Sequence, residues 1–204
     1  DIPAMATEGE GTASLMVLAL AGLMIMVGLA FKLSAVPFHF WCPDVFEGAP
    51  IEVTTWLSVA SKAAGLGLLL RLVYAFATFD PAAVMPLAYA IGGAAAVTCT
   101  IGNLAALRQT SVKRMLAYSS IAHAGYMMMA VPPAIILAQY DPASGRDAIG
   151  ALGLYLVVYL FMNLGAFAVV AFLRNHIGSE EIADYAGLIR RCPGVVVCFT
   201  AILF

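Results

Sequence analysis

The sequence predicts an all-α, polytopic bundle of transmembrane helices, and three observations carry that prediction. Of the 204 residues, 63% are hydrophobic and only 11% are charged, against about 25% charged in a typical soluble domain. The mean hydropathy is +0.95. The charges also cluster in short stretches, which separate apolar runs of roughly 18 residues or more, long enough for spanning helices. A chain of this composition cannot cover itself with a water-facing surface.

The same composition excludes several functional classes. The formal net charge is −2 and there is no run of Lys or Arg, so no nucleic-acid partner is predicted. The sequence contains no phosphate-binding glycine loop and no haem or iron–sulfur motif. The four cysteines form no CxxC pair, and we interpret them as packing residues. We therefore expect no metal and no redox cofactor in this chain.

Neither end of the chain resembles a natural protein terminus. The sequence begins with Asp1 rather than Met, and its first residues are acidic, unlike the basic region of a secretory signal. The last apolar run starts at Pro193 and stops at Phe204, short of the ~20 residues that a span requires. We expect the sequence to be part of a longer protein.

Six spans are predicted within a single transmembrane domain, residues 1–204. Their approximate bounds are 11–40, 52–77, 84–107, 112–131, 148–173 and the start of one at 193–204. The predicted connections contain proline or glycine, which favour turns. They are residues 42–50, Asp80–Pro81, Pro132–Pro133 and 175–191.

The first predicted span is too long for one regular helix. Its apolar stretch covers about 30 residues, which makes ~45 Å of helix against a hydrocarbon core of ~30 Å. Pro37 lacks the N–H that would bond to the carbonyl of Leu33, and its ring clashes with that turn. We therefore predict a discontinuous helix, broken near Pro37.

Basic residues predict the orientation. They cluster in the connections between spans three and four and between spans five and six, at Arg108, Lys113, Arg114, Arg174, Arg190 and Arg191. The positive-inside rule places both connections in the cytoplasm. The connection at residues 140–147 then lies on the outer side, with Arg146 as its only basic residue.

Lys62 is the most informative residue, since it lies in the middle of the otherwise uncharged run 53–70. A charge at that depth costs about 2.5 to 3.5 kcal/mol on insertion scales, and such residues usually face a cavity and serve ion or proton paths. The other interpretation is a lysine paired with a buried carboxylate that only locks helices together. The sequence favours the proton path.

Lys32 and His39 flank the predicted break. A broken helix at membrane depth is found where it lines a cavity or is buried in protein, which makes Lys32 a second candidate for proton transfer. The alternative places its ammonium group among phospholipid headgroups. His39 would share a helix face with Lys32 if the helix resumed across Pro37. Histidine exchanges protons near neutral pH, and a hydrogen-bonded interfacial histidine fits equally well.

His123 is the fourth candidate. It lies in the fourth predicted span beside Ser119, Ser120 and Tyr126. This polar stripe fits a proton path, and it fits equally a set of hydrogen bonds that join helices.

Other features are interpreted as helix packing. Aromatic residues of the fifth span belong to this class, as do small residues that mark close helix contacts. They are Tyr155, Tyr159, Phe161, Gly65, Gly67, Gly92 and Gly93.

Two stretches resemble the N-subunit family of bacterial NADH-quinone oxidoreductases, whose mitochondrial and chloroplast counterparts are called subunit 2. They are residues 28–50, GLAFKLSAVPFHFWCPDVFEGAP, and residues 101–126, IGNLAALRQTSVKRMLAYSSIAHAGY. Ala60-Ser61-Lys62 matches between them, and the resemblance covers essentially the whole chain. The form PDVxxGAP favours the N subunits among related antiporter-like subunits.

The resemblance implies an antiporter-like fold with inverted repeats and discontinuous helices. It implies that Lys32 is the lysine of a broken helix, Lys62 the lysine of the following helix, and His39 the histidine of a proton path. It also implies a carboxylate partner for the broken-helix lysine before Asp1, and a further lysine after Phe204.

The function implied is that of a proton-translocating membrane subunit, which couples electron transfer from NADH to quinone to proton pumping. NADH, FMN, iron–sulfur clusters and quinone would be bound by other subunits of the complex. The implied partners are antiporter-like neighbouring subunits and the lipid bilayer, and the implied location is the bacterial inner (plasma) membrane. The alternatives are a multisubunit cation/proton antiporter subunit, which would use the same lysines without electron transfer, and a purely structural membrane fragment.

Overall fold

Helices make up nearly all of the described part of the chain, which is residues 2–79, 82 and 84–203 of this computed structural model. Their bounds are α1 (Ile2–Leu33), α2 (Trp41–Gly48), α3 (Ile51–Trp56), α4 (Lys62–Phe79), α5 (Val84–Ala106), α6 (Val112–Met128), α7 (Val131–Tyr140), α8 (Pro142–Ile177), α9 (Leu188–Arg191) and α10 (Pro193–Leu203). A π-helical turn, Leu57–Ser61, joins α3 to α4, and a 3-10 turn, Ile182–Tyr185, precedes α9. The predicted all-α class is confirmed.

Four helical segments in the described ranges are long and apolar enough to cross a membrane. They are Ile51–Ala77, Val84–Ala106, Val112–Tyr140 and Pro142–Ile177. A fifth is obtained if Ile182–Arg191 and Pro193–Leu203, which are bent by 120° relative to each other, count as one span. The end of α1 adds a shorter apolar stretch, Ala19–Leu33. The six spans and their depths in a bilayer stay a prediction.

One predicted connection is part of a helix. Pro132 and Pro133 lie in the first turn of α7, not between helices. Proline is tolerated there because the first N–H groups of a helix have no intrahelical acceptor in any case. The predicted turn at Asp80–Pro81 lies outside the described residues.

α8 begins earlier than the sequence predicts, at Pro142 rather than near residue 148. The carboxylate of Asp141 accepts hydrogen bonds from the backbone N–H groups of Ala143 and Ser144, at 3.0 and 3.1 Å. These bonds satisfy two N–H groups that lack partners within the helix. Because of this cap, residues 142–147 form the first turns of α8 and not a loop.

The predicted break in the first span is observed, and it occurs at Ser34. The N–H of Ser34 donates to the carbonyl of Phe31 at 3.0 Å, and that of Ala35 donates to the carbonyl of Ala30 at 2.8 Å. Ser34 has φ of 59°, so this end is a Schellman motif with serine in the left-handed position that glycine usually takes. α1 therefore ends four positions before Pro37, which follows a cis peptide bond from Val36.

α5 and α6 touch through their backbones. A Cβ atom added at Gly102 would lie 2.7 Å from the nitrogen of Ala122, and one added at Gly125 would lie 2.6 Å from the nitrogen of Cys99. Glycine at these positions allows an approach that a larger residue would prevent. The contact fixes the position of α6, which carries two of the site residues described below.

The buried apolar residues form two clusters. One joins α1, α4, α5, α6, α7 and α8 and includes Leu66 and Tyr159. The other joins α2, α6 and α8 and includes Phe46 and Phe167. Lys62 lies where these clusters meet, as the contacts below show.

Candidate functional site

Lys62 is buried in the helix bundle, as the sequence predicts. It is the first residue of α4, and only 2% of its surface is exposed. Its Nζ donates a hydrogen bond to Oγ of Ser120 on α6. The same nitrogen lies 5.7 Å from the centre of the Phe46 ring on α2, a cation–π distance.

A hydroxyl pair continues from Ser120. The Tyr159 hydroxyl on α8 lies within hydrogen-bond distance of Oγ of Ser120, at 2.9 Å. It also lies 3.3 Å from the backbone carbonyl of Ser58 in the π-helical turn. The chain of hydrogen bonds thus runs from Lys62 through α6 and α8 and returns to the helical segment that carries Lys62.

The π-helical turn lies directly before Lys62. Such turns are rare and often occur at functional sites. Hydroxyl groups before and within this turn bond to backbone carbonyls. Thr55 donates to the carbonyl of Ile51 at 2.7 Å, and Ser58 donates to the carbonyl of Thr55 at 2.7 Å. These bonds compete with the regular helical pattern, and they accompany the change of helix type before Lys62.

The lysine partner is a hydroxyl and not a carboxylate. None of the ion pairs formed between described residues includes Lys62. The structure therefore differs from the interpretation in which Lys62 pairs with a buried carboxylate of this chain to lock two helices together.

His123 lies one helical turn from Ser120 on the same face of α6. Its Nδ1 is 2.7 Å from the Tyr155 hydroxyl, and its ring centre is 5.1 Å from that of Tyr159. The His123–Tyr155 pair thus lies beside the Ser120–Tyr159 pair, with the His123 and Tyr159 rings tilted by 45°. On its other side, His123 contacts the Tyr126 ring at 5.8 Å.

The tyrosines of α8 are site residues that the sequence does not predict. Its pattern indicates packing for Tyr155, Tyr159 and Phe161, yet Phe161 is exposed while Tyr155 and Tyr159 make polar contacts to α6. The missed signal is spacing: Tyr155, Tyr159 and Asn163 follow each other at four-residue intervals and share one helix face. Asn163 donates to the backbone carbonyl of Tyr159 at 3.2 Å.

Lys32 lies in the last turn of α1, and its side chain is exposed on the surface of the described bundle. α1 approaches α4 closely at Gly65, where an added Cβ would lie 2.9 Å from Cδ2 of Leu33 and 3.8 Å from Cγ of Lys32. Gly65 is less than one turn from Lys62 on the same helix. The two lysines therefore lie on adjoining helices, although no hydrogen bond joins them within the described residues.

The predicted close contact is not seen at every glycine. A Cβ added at Gly67 or Gly93 would meet no atom within 4 Å, and one at Gly92 would be in ordinary contact with Pro132 at 3.6 Å. Gly65 is the position among these four where glycine permits the approach of another helix.

Bonds to neighbouring elements hold the segment after the break. The backbone N–H of Val36 donates to Oγ1 of Thr98 on α5 at 3.0 Å. Nε1 of Trp41 donates to the carbonyl of Phe31 at 2.9 Å, and the two rings stack at 5.5 Å. Backbone groups released by the break are thus satisfied by side chains, as non-helical backbone inside a membrane requires.

His39 lies in this segment and is half-buried. The helix does not resume across Pro37, because α2 starts only at Trp41, so the helix face predicted for Lys32 and His39 is not formed. Nδ1 of His39 is buried and has no hydrogen-bond partner among the described residues. The structure brings together Lys62 and His123, places Lys32 on the adjoining helix, and leaves His39 without a bond to any of them.

Charged residues gather at one end of the bundle. Lys113, which is 3% exposed, lies 3.3 Å from Glu180 and donates to the carbonyl of Ala49 at 3.0 Å. Arg174 approaches the same Glu180 carboxylate at 3.2 Å. Arg114 pairs with Glu47 on α2 at 2.6 Å. The two basic connections predicted to share one side of the membrane therefore meet at the same end of the bundle.

A group of three or more His, Cys, Asp or Glu side chains suited to hold a metal ion does not occur in the described part of the chain. The cysteines there, Cys42, Cys99, Cys192 and Cys198, are free thiols.

Residues 1–204 match the protein-family model described as NADH:quinone oxidoreductase/Mrp antiporter, TM. The chain is 42% identical over 196 residues to NADH-quinone oxidoreductase subunit N of Anaeromyxobacter sp., with 92% of this chain and 36% of that protein covered. It is 43% identical over 179 residues to NAD(P)H-quinone oxidoreductase subunit 2, chloroplastic, of Chaetosphaeridium globosum, with 88% and 33% covered. The chain thus spans about a third of the length of the curated relatives that it matches.

Two solved structures have a similar fold. The respiratory complex I of Thermus thermophilus with bound aureothin contains a chain that is 36% identical, with a TM-score of 0.66, 90% of this chain covered and 37% of that chain. The membrane-bound sulfane sulfur reductase, an archaeal respiratory membrane complex, contains a chain that is 25% identical, with a TM-score of 0.74, 86% of this chain covered and 34% of that chain.

Proposed function

Because the chain belongs to the NADH:quinone oxidoreductase/Mrp antiporter family of transmembrane subunits, we propose that it is part of a proton-translocating N subunit of a NADH-quinone oxidoreductase. In this proposal, electron transfer from NADH to quinone in other subunits drives changes of protonation at Lys62 and its neighbours. NADH, FMN, iron–sulfur clusters and quinone are bound elsewhere in the complex.

The observation that carries the proposal is the environment of Lys62. A buried lysine that is paired with a carboxylate leaves an uncompensated buried anion when it loses its proton, which is costly. Lys62 bonds to the neutral hydroxyl of Ser120 instead. Loss of its proton strands no charge, so both protonation states are accessible to a residue in the middle of a spanning helix.

The other candidates take roles according to their positions. His123 lies beside the hydroxyl pair that contacts Lys62, and it extends the path along α6. Lys32 lies on the adjoining helix α1, at the approach that Gly65 allows, and exchanges protons with the Lys62 region through water. His39 lies in the break, where the unpartnered Nδ1 is suited to bind a water molecule of that path.

The proposed location is the bacterial inner (plasma) membrane, and the proposed partners are neighbouring antiporter-like subunits and the lipid bilayer. Bacterial relatives named NADH-quinone oxidoreductase subunit N support both points. The end that carries Lys113, Arg114 and Arg174 faces the cytoplasm in this orientation, in line with the positive-inside rule.

A cation/proton antiporter subunit is the second candidate, favoured by the family description, which covers both kinds of protein. The two differ in what drives transport. NADH-dependent proton flux in membranes that contain the full-length protein supports the oxidoreductase. Proton flux driven by a sodium or potassium gradient, with no electron donor added, would instead indicate the antiporter.

The test of the Lys62 role is Lys62→Met in the full-length protein. Met matches the apolar stem of the lysine and removes the titrating group, and no carboxylate of the described chain loses its ion-pair partner. We expect normal abundance of the complex and proton flux reduced by roughly tenfold or more per NADH oxidised. Arg146→Met, which removes an exposed charge near the start of α8, is the matched control. Lost assembly, with normal flux in the complex that remains, would give Lys62 a structural role.

A further inference from the structure

The hydrogen bonds of Lys62 form a closed path. Ser58 lies four residues before Lys62, and its carbonyl is 3.3 Å from the Tyr159 hydroxyl, which is 2.9 Å from Oγ of Ser120. Lys62 donates to that same oxygen. All four residues are buried, with exposed fractions of 0 to 2%, so water does not compete for these bonds.

The protonated state of Lys62 fixes the direction of these bonds. An ammonium group has only donors, and a hydroxyl has one donor and two acceptor sites. Ser120 therefore accepts from Lys62 and can donate its own hydrogen to Tyr159. The Tyr159 hydrogen then points to the carbonyl of Ser58, which can only accept.

The neutral state allows the reverse direction. A neutral amine has one lone pair, which accepts the hydrogen of the Ser120 hydroxyl. Oγ of Ser120 then accepts the hydrogen of Tyr159 at the observed distance of 2.9 Å. Two O–H bonds rotate between the two arrangements while the heavy atoms stay in place, so neither state leaves a buried hydroxyl without a partner, which would cost about 1 to 3 kcal/mol.

The Tyr159 ring is held where this exchange requires it. The His123 ring packs against it at 5.1 Å, and Tyr159 is among the largest fully enclosed side chains of the described bundle. A packed ring with one hydroxyl has little freedom to move its oxygen. The hydroxyl therefore stays within reach of both Ser120 and Ser58.

We propose that Ser120 and Tyr159 are positioning residues for Lys62, and that their two hydroxyl arrangements accommodate this lysine with and without its proton. The contacts among Lys62, Ser120 and Tyr159 are features of the structure. Their expected effect on proton flux rests on the function proposed above.

The first experiment measures NADH-driven proton flux and complex abundance in membranes that contain the full-length protein. Tyr159→Phe and Ser120→Ala are each expected to lower flux by roughly tenfold, the equivalent of losing about one hydrogen bond. Ser120→Thr keeps the hydroxyl and is expected to restore flux. Because both hydroxyls serve one path, the double variant should lose little more proton flux than either single variant.

Tyr74→Phe is the matched control. It removes a tyrosine hydroxyl that donates to the carbonyl of Ala134 at 3.0 Å, away from Lys62, and it should pump normally. If Tyr159→Phe and Ser120→Ala also pump as Tyr74→Phe does while Lys62→Met is impaired, the positioning role is wrong and the proposed function stands.

The second experiment does not depend on pumping. Infrared spectra of the purified complex with isotope-labelled tyrosine report the C–O stretch of each tyrosine, and subtraction of the Tyr159→Phe spectrum isolates Tyr159. We expect the C–O band of Tyr159 to shift in Lys62→Met. Ser120 then loses the lysine nitrogen as a hydrogen-bond partner, and its bond to Tyr159 changes as a result. An unchanged band overturns the inference. Because the band does not depend on proton flux, this result holds even if Lys62→Met pumps normally and the proposed function fails.

Discussion

The ammonium nitrogen of Lys62 lies 5.7 Å from the centre of the Phe46 ring. Phe46 is fully buried on α2, the short helix that follows the break after α1. The ring also packs against Phe167 of α8 at 6.1 Å. The segment after the break and the buried lysine are thus in direct contact, although Lys62 follows Phe46 by 16 positions in the sequence.

The first prediction concerns this contact. Phe46→Leu keeps an apolar side chain but removes the ring face that attracts the ammonium group, an interaction of about 2 kcal/mol when it is shielded from water. We expect proton flux per assembled complex to fall by roughly tenfold. Phe167→Leu removes the other ring of the pair and should reduce abundance without changing flux per complex. Equal flux per complex in the two variants would contradict the prediction.

The second prediction concerns the approach of α1 to α4. Gly65→Ala adds a methyl group 2.9 Å from Cδ2 of Leu33, so the buried Leu33 side chain must move, and we expect the neighbouring Lys32 to move with it. We expect reduced proton flux with the complex still assembled. Gly67→Ala makes the same change where nothing lies within 4 Å, and it should be neutral or slightly stabilising because Ala favours helices. Flux that falls equally in both variants would rule out an effect of the helix approach.

The third prediction concerns the ion pair at the basic end. The Lys113 side chain is 4% exposed and that of Arg174 is 51% exposed, and both face Glu180. Lys113→Met should destabilise the protein by up to ~3 to 5 kcal/mol, the cost of breaking a buried pair. The cost is reduced because Arg174 still pairs with Glu180. Arg174→Gln should cost no more than about 1 kcal/mol, as for other exposed pairs. Thermal unfolding of the purified protein in detergent measures both, and a larger effect of Arg174→Gln would refute the assignment.

The fourth prediction concerns the start of α8 and its pH dependence. The Ser144 hydroxyl, at 2.7 Å, and the N–H groups of Ala143 and Ser144 hold the pKa of the Asp141 carboxyl below its ordinary value. The cap is therefore complete above the ordinary carboxyl pKa and is lost as pH falls through the lowered pKa. Hydrogen exchange at Ala143 and Ser144 should be faster in Asp141→Ala, and lowering the pH should remove the difference from the wild type.

A matched control for the cap is Asp147→Ala, further along the same helix. It removes an exposed carboxylate outside the first turn, so exchange at Ala143 and Ser144 should not change. Faster exchange in Asp147→Ala would show that overall charge, and not the cap, protects these amides.

The sequence predicted the break near Pro37 because proline cannot donate to the preceding turn. It did not predict where the helix ends. Ser34 takes the left-handed conformation, which serine adopts at a cost, and the bond from Val36 to Thr98 stabilises the following backbone across 62 residues. A contact of that sequence separation depends on how α1 packs against α5 and has no local pattern.

The burial of Lys62 followed from its uncharged flanks, but its partners did not. Ser120 and Tyr159 lie 58 and 97 residues further along the chain, and their meeting depends on the rotation of α6 and α8. The glycine contact between α5 and α6 sets part of that rotation. Helix periodicity could place Tyr155 and Tyr159 on one face, but it could not show which helix this face meets.

The π-helical turn at Leu57–Ser61 has a consequence for insertions and deletions. A turn of this kind contains one residue more than an α-helical turn, and one residue corresponds to about 100° of rotation. Deleting one residue from it would leave an unbroken helix from α3 to α4 in which Lys62 still points toward Ser120, because the wide turn absorbs the rotation that this residue would add to a regular helix. Relatives that lack this residue should therefore keep their buried lysine on the same helix face, and a gap in a sequence alignment here marks the loss of the wide turn rather than a change of side-chain direction.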